Sequence, residues 1–174
     1  MQSLIAQYAL GAVVITGAAT DLQRGKIPNW LTLPAMAAGL VINAVAGLGL
    51  GPAVWGMLAG LAVYFVFFAV GFRGAGDGKL MGAVGAFVGW PHIATVMVVV
   101  ALVGGVAAVA VAWRRGTLTE VVRGAGGLLA DMLRLRWREV KEQSDFRRAP
   151  GLLRMPHGPV IAAGTLMFLL LFPR

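Results

Sequence analysis

The 174-residue sequence has no cysteine, two histidines and seven acidic residues, and only 13% of it is charged. Without cysteine there is no disulfide, thiolate nucleophile or cysteine-ligated zinc, while the compartment stays open. The histidines, at positions 92 and 157, fall on opposite predicted faces of a membrane, so a histidine metal site has no basis. Soluble domains carry roughly 25% charged residues, about twice the share found here. What the chain has instead is 59% hydrophobic residues and 25 glycines, with apolar runs long enough for a hydrocarbon core of about 30 Å. The expectation is one all-α integral membrane domain over residues 1–174.

Apolar stretches predict spans at about 4–20, 30–47, 52–71, 80–90, 92–113 and 159–172. The 34 residues from Leu80 to Trp113 are too many for one helix along the bilayer normal, and Trp90-Pro91-His92 supplies a turn between two helices. Charge favours this division. Lysine and arginine are retained on the cytoplasmic side, and six spans put 14 of the 15 basic residues on one face, with only Arg174 opposite. Both termini then face outward. The first apolar run is followed, not preceded, by basic residues, so it reads as a retained span rather than a cleaved signal. Residues 114–155 hold the other five acidic residues and ten basic ones. Thr117-Leu118-Thr119-Glu120 has capping-box spacing, and Leu129, Met132, Leu133 and Val140 recur among arginines at near-helical spacing. An amphipathic membrane-surface helix is expected there, bent at Gly124-Ala125-Gly126-Gly127. Topology and this helix account for the net charge of +8, and nucleic acid is not an expected partner.

Asp21 and Asp77 stand apart from the other acids, each in a short polar break on the predicted cytoplasmic side. A single carboxylate at a helix end reads as a solvated charge. Two on one face can share a proton and activate water for peptide hydrolysis, with either aspartate as the ionised member. Gly76 and Gly78 flank Asp77, either baring backbone for a substrate or allowing close helix packing. The competing class is a transporter or assembly factor that binds ions or protons through the two aspartates, although such sites usually lie near the bilayer midplane. Lys79, Arg24, Lys26 and Arg73 read as topogenic charges. Pro28 fixes the loop, and Asn29 is expected to cap the second span.

Gly74-Ala75-Gly76-Asp77-Gly78-Lys79-Leu80 resembles the Gly-x-Gly-Asp-x-Lys-Leu signature of type IV prepilin peptidases. Asp21 with Lys26-Ile27-Pro28-Asn29-Trp30 is similar to that family's first catalytic aspartate and the Ile-Pro-Asn segment after it. Pro156-His157-Gly158-Pro159 resembles its Pro-Tyr-Gly-Pro, departing at His157. Signal-peptide-peptidase-type proteases pair the tetrad with Tyr-Asp, where this chain has Thr20-Asp21. The resemblance implies a six-span aspartyl endopeptidase of the bacterial inner membrane, cutting basic leaders from prepilins or pseudopilins at the cytoplasmic face. It implies Asp21 and Asp77 as catalytic, Gly74, Gly76, Gly78 and Lys79 as motif support, and Lys26, Pro28 and Asn29 near the substrate, with no metal or cofactor. The family's larger members carry a cysteine-bearing loop and also N-methylate. Here Trp30 follows nine positions after Asp21. That is similar to the compact tight-adherence (Flp) form without methyltransferase activity.

Overall fold

The structure, a computed structural model, describes residues 4–69, 75–119, 123 and 157–172. The elements among these residues are all helical: α1 (Leu4–Arg24), α2 (Asn29–Ala46), α3 (Leu50–Ala69), α4 (Ala75–Val88), α5 (His92–Arg114) and α6 (Gly158–Leu171). By length and composition α1, α2 and α5 can each cross a membrane, and α3 and α6 contain shorter apolar helical stretches. Apart from its first residues, the amphipathic helix expected over 114–155 lies outside the described residues, as do Arg73 and Gly74.

Two boundaries differ from the sequence expectation. The break expected after residue 20 is helical, because α1 continues through Asp21 until Gly25 adopts φ 61° and donates its N–H to the Asp21 carbonyl at 2.8 Å. A left-handed glycine just past the last turn is the common way to end a helix. Likewise α4 begins at Ala75, so Asp77 stands in its first turn instead of in a loop before it.

α4 is the centre of the bundle and touches all five other helices. From Asp77 to Val88 every side chain except Lys79 is buried. Lipid tails are as apolar as these side chains, so close packing rather than exclusion from water must hold such a helix. Small residues make that contact possible. Gly56 faces Gly85, Gly60 faces Met81 and Gly82, and Tyr64 faces Gly78, a descending register that sets α3 antiparallel to α4. A Cβ on Gly60 would come within 2.5 Å of the Met81 carbonyl oxygen, so alanine there would push the helices apart. On α2, Gly39 lies against Ala86 and Phe87, while Asn29 reaches Lys79; α2 is therefore parallel to α4.

The outside is apolar. Val98, Leu102, Val106 and Val109 of α5 and Trp55 and Phe65 of α3 are exposed. Exposed apolar surface of this extent fits lipid contact.

Candidate active site

The buried residues Ala6, Leu10, Val14 and Gly17 recur every three or four positions along α1, and the same stripe continues to Asp21. Gly17 meets the Leu80 side chain of α4, where a Cβ would stand 3.1 Å from Leu80 Cδ2. The short turn at Gly25–Pro28 reverses the chain, so α1 is antiparallel to α2 and hence to α4. Asp21 lies four residues after Gly17 and Asp77 three before Leu80. Both aspartates therefore sit roughly one helical turn, about 5.4 Å, beyond that contact towards the same end of the bundle.

Their surroundings differ. Asp77 is 9% exposed and stands in the first turn of α4, ahead of its apolar part. Burial raises its carboxyl to about 7, and the negative charge of Asp21 adds to the effect. Asp21 is half-buried and accepts a hydrogen bond at Oδ2 from the backbone N–H of Gly158, at 2.9 Å. Gly158 opens α6, and a Cβ there would lie 2.7 Å from Asp21 Cβ, so only glycine allows this approach.

The glycines around Asp77 are filled in by the protein itself. A Cβ on Gly76 would meet Ile27 at 3.3 Å, and one on Gly78 would meet Tyr64 at 3.0 Å. Of the two readings open for these residues, close packing is the one the contacts support. Tyr64 is within electrostatic reach of Asp77. Asn29 is not the cap of α2. Pro28 holds that position with no side-chain cap bond, and Asn29 Oδ1 instead accepts from Lys79 Nζ at 2.8 Å. Lys26 is exposed, and Gly74 lies outside the described residues.

Sequence reasoning left Gly158 without a role and passed over Tyr64. The Gly158-Pro159 pair was the available signal. Proline at the second helical position has no N–H, which leaves the first N–H as a prominent free donor.

Two acids at one end of the bundle, one buried and one held by a backbone donor, can share a single proton and polarise a water between them. The family model described as the Type IV leader peptidase family matches residues 8–109, more than half the chain and both aspartates. The chain belongs to the Type IV leader peptidase family. Relatives of this family member named "Prepilin leader peptidase/N-methyltransferase" include one from Escherichia coli (strain K12), 35% identical over 131 residues, covering 70% of this chain and 58% of the relative. Another, from Burkholderia pseudomallei (strain K96243), is 32% identical over 118 residues, 63% of this chain and 38% of its own length. A third, from Aeromonas hydrophila, is 35% identical over 108 residues, 58% of this chain and 37% of the relative. The chain thus spans well under two thirds of these relatives. No solved structure matches it. Its apolar helices and its family make it a multi-pass inner-membrane protein.

Proposed function

We propose that this leader peptidase family member is a membrane aspartyl endopeptidase that removes basic leaders from prepilins or pseudopilins at the cytoplasmic membrane face. Asp21 and Asp77 are its catalytic pair. The observation that carries this reading is geometric: Asp77, 9% exposed, and Asp21, held at Oδ2 by the Gly158 N–H, stand at the same end of the bundle, each about one helical turn beyond the Gly17–Leu80 contact. A dyad that holds one proton near neutral pH has both an acid and a base ready at once.

The family supports a prepilin as substrate, and the apolar bundle suits one that arrives from the bilayer with a hydrophobic helix behind its leader. In the proposed six-span arrangement both termini face outward. Lys26, Pro28 and Asn29 belong to the turn and helix start beside Asp21, where a basic leader would emerge. The compact α1–α2 turn favours the tight-adherence type without N-methyltransferase activity.

The test is cleavage of a purified prepilin by the protein in liposomes, read by mass spectrometry of the product. The expected product is a single shortened pilin with a free, unmethylated N-terminus. An intact substrate with well-inserted protein overturns the reading.

A further inference from the structure

Within that peptidase reading, we infer that Asp21 carries the negative charge of the pair and takes the proton from water. Gly158 acts as its positioning residue, and Asp77 serves as the proton donor.

The inference begins with the start of α6. The first N–H groups of a helix have no partner inside it. His157 precedes α6 without a side-chain cap bond, and Pro159 has no N–H to offer. The Gly158 N–H finds its acceptor on another helix, in Asp21 Oδ2 at 2.9 Å. A backbone donor at a helix N-terminus favours an anionic acceptor twice over. The bond is charge-assisted, and the helix dipole favours negative charge at this end of the helix. The contact also fixes the carboxylate in place, because Gly158 is buried and its missing side chain is the space that Asp21 occupies.

Asp77 also lies in the first turn of its helix, so dipoles alone do not separate the two acids. Burial does. Asp77 is enclosed by the bundle, whereas Asp21 is half exposed. Desolvation opposes the charge at Asp77, and Asp21 opposes it again. Other titratable groups on the elements meeting there are Lys79 on α4, Tyr64 on α3, His157 before α6, Arg24 on α1 and Lys26 in the turn after it. Lys79 is bonded to Asn29.

The reaction balances on this assignment. The Asp21 carboxylate takes a proton from water as the water oxygen bonds to the scissile carbonyl carbon, and Asp77 gives its proton to the carbonyl oxygen. The resulting gem-diol collapses when Asp21 returns its proton to the leaving nitrogen and the C–N bond breaks. Asp77 recovers a proton from one hydroxyl as the new carboxylic acid forms. Both aspartates end as they began.

Infrared difference spectra between acid and alkaline buffer test the charge assignment on the whole protein in detergent, without substrate. The carbonyl stretch of a buried carboxylic acid is expected in the wild type and in Asp21→Asn, and absent in Asp77→Asn. Any other pattern across the three proteins overturns the inference. Kinetics test Gly158. Gly158→Ala is expected to lower kcat about a hundredfold by misplacing the carboxylate, with KM little changed. Unchanged kcat, or a loss that falls on KM instead, overturns the role of Gly158, and if the variant does not fold, the infrared comparison still decides the charge. Absence of prepilin cleavage by the wild type would instead overturn the peptidase reading, leaving the spectra as the measure of the charge.

Discussion

Lys79 Nζ donates to Asn29 Oδ1 at 2.8 Å, tying the start of α2 to the start of α4 one turn from the candidate site. Residues two apart on a helix do not face each other, so Lys79 is turned away from Asp77 and acts on the frame rather than on the dyad. The bond is solvent-exposed. A double-mutant cycle on Asn29→Ala and Lys79→Met is expected to give a coupling of about 0.5–1 kcal/mol in thermal unfolding. A coupling of zero would show that the two side chains do not bind each other in solution.

Asp21→Asn and Asp77→Asn are each expected to abolish prepilin cleavage while leaving protein levels and helicity unchanged. Either amide can fill the space of its carboxylate, but neither can complete the proton exchange of a shared site. Asp→Glu at either position should also lose most of the rate, since one added methylene displaces the reacting oxygen. Substantial processing by one amide variant, at normal protein level, would show that the two residues do not form one site.

Asp77 also makes stability depend on pH, and the direction is fixed. Its carboxyl rises from 3.8 to about 7 in the folded protein, so between those values the folded state holds a proton that the unfolded state has lost. Folding stability therefore falls as pH rises from about 4 to about 7 and then levels, as far as this group is concerned. Thermal unfolding in detergent across this range should show that decline. Asp77→Asn should flatten it and be the more stable protein at alkaline pH, a stabilisation obtained by removing a functional group. An equal slope in both proteins would reject the cause. Activity should also fall above about 7 as Asp77 gives up its proton.

The two aspartates were legible because charge is rare in this chain and each carboxylate stands out against apolar sequence. Helix ends were less so. α1 runs past Asp21 because Gly25 ends it, and a sequence that is apolar until residue 20 gives no sign that the polar turn after it is still helical. The buried core position of α4 was also hidden. Its residues are apolar on every side, as are those of a lipid-facing helix, so periodicity cannot separate the two. What distinguishes α4 is how its glycines match those of α3, which is a tertiary property. Asn29 was misread for a related reason. Its local preference for capping lost to a lysine fifty residues away.

The proposed topology places the Gly25–Pro28 turn in the cytoplasm and the start of α3 outside. Gln23 is exposed at the end of α1, and Gly51 is exposed with open space around it, near the opposite end of the α1–α2 hairpin. Neighbouring Gly49 is a poorer reporter, because its φ of 94° disfavours any side chain. In intact cells, an impermeant thiol reagent should label Gly51→Cys and leave Gln23→Cys untouched until the membrane is permeabilised. The reverse pattern would invert the protein and remove the cytoplasmic site.

Asn43 gives the last test, of what keeps α4 in place. It is 2% exposed, and its Nδ2 donates to the carbonyls of Ala86 and Phe87 at 2.8 Å each, while Oδ1 accepts from the Leu48 N–H at 3.2 Å. Ala86 and Phe87 belong to the last turn of α4, where carbonyls have no partner within the helix. Asn43→Leu keeps the number and branching of the heavy atoms and removes the donors, leaving buried carbonyls unpaired at about 1–3 kcal/mol each. The variant should therefore unfold at a clearly lower temperature in detergent. Asp77 lies at the other end of α4, so cleavage per folded molecule should stay close to wild type. An unchanged melting temperature would mean that those carbonyls are satisfied by other donors, and that α4 is held by its glycine contacts alone.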